Sequence, residues 1–305
     1  MSIIIVGTVA FDAIETPFGK TDKIVGGAAT YISLSAANFV QNSHLISVIG
    51  DDFPNDKLAL LKSKGVNLDG LQIKQGEKSF FWSGKYHYDM NTRDTLVTEL
   101  NVLEHFQPEV PASAQGAEYV MLGNLAPAVQ LSVLDQLTTK PKLVVLDTMN
   151  FWMDIALDQL KEVIARIDVL TINDEEARQL SGEYSLATAA KKILTMGPKF
   201  LIIKKGEHGA LLFDNNNMFF APAMPLEVVK DPTGAGDTFA GGFIGYLAKT
   251  GDITFNNMKR AIVMGSAMAS KCVEEFGTEK LESLSTEELD SRIKEFVNLT
   301  SVSFN

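Results

Sequence analysis

The sequence contains a single cysteine, Cys272, among its 305 residues. An intramolecular disulfide is therefore impossible, and a lone thiol suits the reducing cytoplasm, where we expect the protein to work. Cys272 falls in an apolar helical register, which indicates a packed thiol. The four histidines are scattered and share no spacing with the cysteine or with paired acids, so the sequence does not indicate a zinc site.

Long hydrophobic runs and an excess of positive charge are also lacking. No run of eighteen apolar residues occurs, so the sequence predicts no membrane-spanning helix. The net charge is −11, which argues against nucleic acid or an anionic membrane as a partner. With 46% hydrophobic residues the chain can bury a large core, in one α/β domain or in two.

Three familiar signatures of nucleotide-binding and hydrolytic enzymes are missing. No G-x-G-x-x-G follows the first predicted strand, which disfavours an NAD-dependent Rossmann enzyme. No G-K-[ST] completes a Walker A loop, and no G-x-S-x-G elbow indicates a hydrolase.

What the sequence does contain is a rhythm of apolar runs and helical patterns. Continuous apolar runs, typical of strands covered on both faces of a sheet, predict strands at 3–6, 44–50, 119–122, 143–146, 169–172, 200–203, 210–213 and 217–221. Apolar periodicity predicts helices that begin near residue 26 and that span 58–64, 129–137, 256–272 and 286–297.

Residues 66–98 break this rhythm. The aromatic-rich triplets 80–82 and 86–88 flank Ser83-Gly84-Lys85, which predicts a hairpin with its turn at 83–85 and with exposed aromatic side chains. Such a hairpin could be a plain sheet edge or a flap that closes over a ligand.

The most informative stretch reads D-P-T-G-A-G-D-T-F-A-G-G-F and covers residues 231–243. Apolar residues recur at helical spacing from position 239, so the small residues before them lie at a helix N-terminus, where unpaired N–H groups and the helix dipole favour an anion. Because Gly234, Ala235 and Gly236 have almost no side chain, a phosphate could approach their backbone closely. Asp237 stands beside this pocket and could take a proton from an attacking hydroxyl. The alternative is a capped helix whose glycines serve only a tight turn.

The same thirteen-residue string resembles the C-terminal signature of the ribokinase (PfkB-type) carbohydrate and nucleoside kinases, and the resemblance runs in order from Gly7 to Gly242. It implies an α/β fold with a doubly wound, mostly parallel sheet, helices on both faces and a small β-lid. We expect one ribokinase-like domain over 1–305, with the lid formed by about 12–25 and 72–100.

The resemblance also implies the reaction, which is transfer of the γ-phosphoryl group of ATP to an alcohol. In this family pattern Asp237 is the general base, and Gly234, Ala235 and Gly236 form the anion hole.

Residues near the N-terminus resemble the family's substrate site. Asp12 follows the first predicted strand, at the edge where ligands bind in open α/β sheets, and the family carries an acid there that binds substrate hydroxyls. Gly26 and Gly27 resemble the family's Gly-Gly signature, which lets a sugar approach the backbone, although paired glycines can also serve close packing alone. Tyr31 stands where ribokinase has Asn, which argues against ribose as the substrate.

Two further segments resemble the nucleotide and metal site. Asn173 and Glu176 fit the family's N-x-x-E, which organises Mg²⁺ through water, although acids here also suit the first turn of a helix. The turn with Lys205, Gly206 and Gly209 resembles the nucleotide-proximal loop, although a plain hairpin would look similar.

Asp231 and Thr233 match the part of the family motif that binds a monovalent cation in several relatives, so K⁺ is a candidate activator beside ATP and Mg²⁺. Thr233 also belongs to the implied nucleotide site. In the lid segment, Arg93 is a candidate for binding the substrate.

The resemblance favours a sugar or sugar-like acceptor, because sugars are the family's commonest acceptors. A nucleoside is the alternative, since Tyr31, Phe81 and Trp82 could stack a base. A non-catalytic binding protein on the same fold is a further alternative, although Asp237 is present. We expect a small-molecule substrate, no nucleic-acid or membrane partner, and a homodimer formed through the lid.

Overall fold

The structure is a computed structural model that describes residues 1–301. The last four positions of the predicted domain, 302–305, lie outside the described residues. Along the chain the strands are β1 (Ile3–Val6), β2 (Ala10–Thr16), β3 (Gly19–Lys20), β4 (Ile24–Gly26), β5 (Ser43–Gly50), β6 (Val66–Lys74), β7 (Phe81–Tyr86), β8 (Arg93–Glu99), β9 (Tyr119–Leu122), β10 (Leu143–Asp147), β11 (Val169–Asn173), β12 (Phe200–Lys204), β13 (Ala210–Phe213) and β14 (Met218–Ala221).

Helices lie between most of these strands and follow the last of them. They are α1 (Ala28–Ala36), α2 (Asn55–Ser63), α3 (Pro127–Gln136), α4 (Asn150–Ile155), α5 (Leu157–Ile164), α6 (Asp174–Ser181), α7 (Leu186–Leu194), α8 (Ala235–Thr250), α9 (Phe255–Cys272), α10 (Glu279–Ser283) and α11 (Thr286–Thr300). No helix among residues 1–301 is long and apolar enough to cross a membrane.

The larger sheet has nine strands in the order β6-β5-β1-β9-β10-β11-β12-β13-β14. Neighbouring strands from β6 to β12 are parallel, and β13 and β14 join antiparallel. The chain builds outward from β1 to β6 and then restarts on the other side at β9. The strand order therefore reverses between β1 and β9, and a ligand crevice forms at such a reversal, beyond the carboxyl ends of the strands.

The side chains of alternate residues on the central strands pack into two separate hydrophobic cores, one on each face of the sheet. On β1, Ile3 and Ile5 pack into the core beneath α1, α8 and α9, whereas Ile4 and Val6 pack into the core on the other side. Both faces are thus covered, which confirms the predicted doubly wound α/β class.

Close helix packing explains the last glycines of the 231–243 stretch. A Cβ on Gly242 would lie 3.0 Å from the Cα of Gly265 on α9, so α8 and α9 meet backbone to backbone. These glycines therefore serve packing and not a ligand.

The second sheet has the order β3-β2-β7-β8, and β4 pairs with β2 on the same edge as β3, opposite β7. Its strands lie within residues 10–26 and 81–99. The lid was predicted over 12–25 and 72–100, so the second segment begins at residue 81 and not at residue 72. Residues 72–74 belong instead to β6 of the large sheet, where β6 pairs with β5.

The predicted hairpin turn at 83–85 is wrong. These residues lie inside β7, and the turn comes later, where the Asp89 carboxylate accepts hydrogen bonds from the N–H and hydroxyl of Thr92. Gly84 is a strand glycine because the Trp82 indole lies where its Cβ would be. The aromatics also differ from one another: Tyr88 is 83% exposed, whereas Tyr86 is buried.

Candidate active site

The N-terminus of α8 has no side-chain cap. Its N-cap residue, Gly234, adopts a left-handed conformation with φ 73°. The helices α6, α9 and α11 begin with a side chain that accepts a backbone N–H, whereas α1, α2, α3, α5 and α7 lack such a cap as α8 does. The first turn of α8 therefore keeps two features of an anion site. The helix dipole makes this end positive, and the small side chains let an anion come close to the backbone N–H groups.

Asp237 lies in this first turn and is half-buried. Burial, together with the negative charge of Asp147, raises the pKa of its carboxyl to about 7, although Lys204 and Arg93 oppose the shift. A carboxylate with a pKa near the working pH suits a general base.

Lys204 and Asp147 form an ion pair beside α8, and the sequence did not predict that these two residues meet. The Lys204 Nζ lies 3.0 Å from Oδ1 and 2.8 Å from Oδ2 of Asp147. It also lies 3.1 Å from the point where a Cβ on Gly236 would be. The available signal was positional, because each residue ends a parallel strand at the edge of the sheet where ligands bind.

Asn173 and Glu176 form a reciprocal cap on α6. Asn173 Oδ1 accepts the Glu176 N–H at 2.8 Å, and Glu176 Oε2 accepts the Asn173 N–H at 2.7 Å. Burial raises the pKa of the Glu176 carboxyl to about 7, and the nearby Lys204 opposes this shift. The two residues therefore do cap the helix, as the alternative interpretation predicted. The Glu176 carboxyl also lies within electrostatic range of Lys204 and Asp147.

The donor set at this position fits Mg²⁺ only with ligands from elsewhere. Among residues 1–301 no group of three His, Cys, Asp or Glu side chains is placed to hold a metal ion. Mg²⁺ commonly binds through one or two carboxylates, with waters and substrate phosphates completing the shell. Glu176 can supply a carboxylate oxygen of that kind, whereas both carboxylate oxygens of Asp147 accept hydrogen bonds from Lys204.

Asp12 lies on β2, is 5% exposed, and fills the space that a side chain on Gly26 would need. Burial raises the pKa of its carboxyl to about 7, and the charges of Asp231 and Asp237 add to the shift. A hydrogen bond from the backbone N–H of Gly27 to the Asp12 carboxyl opposes this rise in pKa. The structure thus brings Asp12, Gly26 and Gly27 together near Asp231 and Asp237.

Asp231 and Thr233 form the loop that leads into α8. The Asp231 carboxylate is buried and accepts the N–H groups of Thr233 at 2.8 Å and of Gly277 at 2.9 Å. The Thr233 hydroxyl donates to the Tyr86 hydroxyl at 3.1 Å, which ties the second sheet to this loop. Tyr86 and Gly277 were not assigned to the site from the sequence.

Tyr31 is 1% exposed, and its ring lies where a Cβ on Gly234 would be. The Tyr31 ring therefore packs directly against the backbone of Gly234. Its hydroxyl is buried and has no hydrogen-bond partner within the part of the chain that the structure describes. Burial and the charge of Asp12 raise the pKa of this hydroxyl, which places it near the Asp12 carboxyl.

Lys205, Gly206 and Gly209 form a tight turn, in which the Lys205 N–H donates to the Gly209 carbonyl at 2.8 Å. Asn91, in the turn after β7, reaches this loop, since its Oδ1 lies 2.5 Å from the point where a Cβ on Gly206 would be. The second sheet therefore contacts the predicted nucleotide loop.

Arg93 opens β8 and pairs in register with Tyr86. Its charge lowers the pKa of both Asp237 and Glu176 against the effect of their burial. The Arg93 guanidinium thus lies within electrostatic range of Asp237 and Glu176, although Arg93 is exposed to solvent.

Comparison with known proteins adds relatives to this geometry. The profile of pfkB family carbohydrate kinases matches residues 2–284. A cytidine kinase from Thermococcus kodakarensis is 32% identical over 250 residues, which cover 80% of this chain and 87% of that protein.

Solved structures share the fold at lower identity. The nucleoside kinase of Methanocaldococcus jannaschii superposes with a TM-score of 0.77 at 22% identity, covering 96% of this chain and 98% of that chain. A ribokinase II from E. coli in complex with ATP and Mg²⁺ gives a TM-score of 0.78 at 19% identity, covering 96% of this chain and 99% of that chain.

Proposed function

The chain belongs to the pfkB family of carbohydrate kinases, and on that premise we propose that it transfers the γ-phosphoryl group of ATP to the hydroxymethyl group of a nucleoside. The observation that carries the kinase assignment is the placement of Asp237 in the uncapped first turn of α8. A base and an anion site then flank the same volume, as in-line phosphoryl transfer requires.

The proposed step balances as follows. The hydroxyl oxygen of the acceptor attacks the γ-phosphorus, and the proton of that hydroxyl passes to the Asp237 carboxylate. The bond from the γ-phosphorus to its bridging oxygen breaks, and ADP leaves. Backbone N–H groups of Gly234, Ala235 and Gly236 stabilise the charge that develops on the phosphoryl oxygens.

Asn173 and Glu176 would hold Mg²⁺ in this proposal, partly through water. When bound, Mg²⁺ neutralises charge on the phosphate oxygens. The ATP and Mg²⁺ present in the E. coli ribokinase II structure support the pairing. Lys205, Gly206, Gly209 and Thr233 belong to the nucleotide site.

A feature of the second sheet favours a nucleoside over a free sugar. Trp82 on β7 is in register with Asp12 on the parallel strand β2, so the two side chains share a face. That face is turned toward the catalytic loop, because Tyr86, four residues on, reaches Thr233. Asp12 is then placed for the ribose hydroxyls, and the half-buried Trp82 for the base.

The similarity to a cytidine kinase makes cytidine the first nucleoside to test. A sugar remains the second candidate, because the family as a whole carries the description of carbohydrate kinases and because Asp12 would bind the diol of either acceptor.

An ADP-release assay over cytidine, uridine, adenosine, ribose and fructose separates these possibilities. We expect at least one nucleoside to have a kcat/KM roughly a hundredfold above every sugar, since a stacked base adds binding that a free sugar lacks. A sugar with the highest kcat/KM would select the second candidate. An absence of turnover with all acceptors, together with tight ATP binding, would indicate a non-catalytic binding protein.

We also propose that the two sheets act as one domain in which the second sheet closes over the acceptor. Arg93 on β8 would then contact the bound substrates.

Strand β8 is exposed along its whole length, and we propose that two chains pair through it. Light scattering of the purified protein tests for the dimer.

The buried Asp231 carboxylate supports K⁺ as an activator, since burial raises its pKa and a bound cation would offset the charge. A rate that is equal in potassium and choline buffers would exclude this role.

A further inference from the structure

Lys204 links the carboxyl ends of three adjacent strands. It is the last residue of β12 and lies in register with Asn173 on β11, yet its ammonium pairs with Asp147 at the end of β10. The side chain therefore crosses over β11 to reach its partner. Both side chains are largely buried, with exposed fractions of 18% for Lys204 and 7% for Asp147.

Burial at this depth makes the pair a poor source of stability. The desolvation of two charges offsets much of their attraction, so well-packed apolar residues would stabilise the fold as well. Stability alone therefore does not explain why Lys204 and Asp147 are charged at this position. The groups that surround the two charges have to explain it.

The ammonium faces the first turn of α8. Its nitrogen lies 3.1 Å from the Cβ position of Gly236, beside the uncapped end of the helix. The helix dipole makes this end positive, so it attracts anions and repels a cation. Two positive groups thus converge on one small volume, and Asp147 supplies the compensating negative charge in the free protein.

The ammonium is held in its charged form by the Asp147 carboxylate, which accepts two hydrogen bonds from its nitrogen. A permanently charged donor beside the anion hole matches the needs of a transferring phosphoryl group, on which negative charge is spread over the equatorial oxygens.

We infer that Lys204 is a catalytic residue whose ammonium binds the transferred phosphoryl group, and that Asp147 holds the ammonium in place until the nucleotide arrives. The inference rests on the proposed kinase function. It assigns to Lys204, and not to its neighbour Lys205, the direct contact with the phosphoryl oxygens.

The test compares two nucleotides that differ by the terminal phosphoryl group. Calorimetry with Mg·AMP-PNP and Mg·ADP measures binding without turnover and without knowledge of the acceptor. For Lys204→Met we expect the affinity for Mg·AMP-PNP to fall roughly tenfold or more, as for a lost charged hydrogen bond, while the affinity for Mg·ADP changes less than about threefold. The kcat should fall by about a hundredfold, since one donor to the transition state is lost.

Two further variants exclude a merely structural role. Asp147→Asn breaks the same ion pair but leaves the ammonium, so the preference for Mg·AMP-PNP over Mg·ADP should persist. The double variant Lys204→Met/Asp147→Asn leaves no buried charge unpaired and keeps the test open if Lys204→Met does not fold. Lys280→Met is the matched control, because Lys280 is 19% exposed and pairs with Glu288 at 2.6 Å. It should bind both nucleotides normally.

Equal losses for both nucleotides in Lys204→Met and Asp147→Asn would overturn the inference, because they would show an ion pair that only supports the fold. Unchanged binding of Mg·AMP-PNP and unchanged kcat in a folded Lys204→Met would overturn it as well, and would leave the kinase proposal standing if the wild type turns over an acceptor. A wild type that binds neither nucleotide and phosphorylates nothing would refute both.

Discussion

At the scale of single residues, the proposed chemistry depends most on the carboxylate of Asp237. Replacing Asp237 by Asn keeps the shape and removes the proton acceptor, so kcat should fall by about a hundred- to ten-thousand-fold. Nucleotide affinity should change little, because the proton moves only during the reaction. Steady-state kinetics and calorimetry with Mg·ADP measure the two quantities. A variant that kept about a third of the wild-type kcat would exclude Asp237 as the base.

Gly234 offers a second test, because two separate effects forbid a side chain there. Its φ of 73° is unfavourable for any L-residue, and the Tyr31 ring already occupies the Cβ position. Gly182, the C-cap of α6, has a matching φ of 72°, but a Cβ there would meet only the Lys192 ammonium, at an ordinary contact distance of 3.9 Å. Gly182→Ala should therefore show the backbone strain alone, at about 1–2 kcal/mol.

Gly234→Ala should lose more stability than Gly182→Ala in urea denaturation, because the loop or the Tyr31 ring has to move. Its kcat should also drop at least about tenfold, since the anion hole is displaced, whereas Gly182→Ala should keep the wild-type rate. Equal stability losses and equal rates in the two variants would show that Tyr31 does not support the anion loop.

At the scale of secondary-structure elements, the sequence predicted the strands well and the second sheet poorly. The strands 3–6, 119–122 and 210–213 have their predicted bounds, because a short continuous apolar run is typical of a strand that is covered on both faces. The turn at 83–85 is wrong, because a glycine signals a turn in the sequence, whereas Gly84 makes room for a neighbouring indole. No local pattern carries that information.

The site divides in the same way. The 231–243 stretch is contiguous, so its likeness to a known motif could be read directly from the sequence. Lys204 and Asp147 are 57 residues apart, and they meet only because β10, β11 and β12 are adjacent in the sheet. Tyr86 reaches Thr233 from a different sheet, which again requires the tertiary fold.

The second sheet yields a prediction about the acceptor. If the Trp82 indole stacks a nucleobase, Trp82→Ala should raise the KM for the nucleoside by roughly five- to a hundredfold, corresponding to about 1–3 kcal/mol. The kcat should change less, because Trp82 lies away from the reacting oxygen in this arrangement.

Tyr88→Ala is the matched control for that experiment. Tyr88 is an aromatic residue in the turn of the same sheet, and it is 83% exposed. It should leave KM unchanged. A nucleoside KM that is insensitive to Trp82→Ala would remove the indole from the acceptor site and would strengthen the case for a sugar.

At the scale of the whole molecule, three carboxyls with raised pKa values make stability depend on pH. The pKa values of Asp12, Glu176 and Asp237 are all raised to about 7, in each case chiefly by burial. An unfolded chain would release these protons near pH 4. Between about pH 4 and pH 7 the folded protein therefore holds more protons than the unfolded one, and the free energy of unfolding falls as pH rises through this window.

The prediction can be assigned to one group with Asp237→Asn. The variant carries no charge at position 237 at any pH, so it should match the wild type most closely below about pH 4, where the wild-type carboxyl is protonated in both the folded and the unfolded chain. Near pH 7.5 it should be the more stable protein, because it avoids burying a charge beside Asp147. Urea denaturation at the two pH values, without nucleotide, measures the difference. Catalysis should follow the opposite course, since the wild-type kcat needs the ionised carboxylate and should rise over the same interval. A stability difference that is identical at both pH values would show that Asp237 does not titrate in this range, and the base would then be ionised throughout.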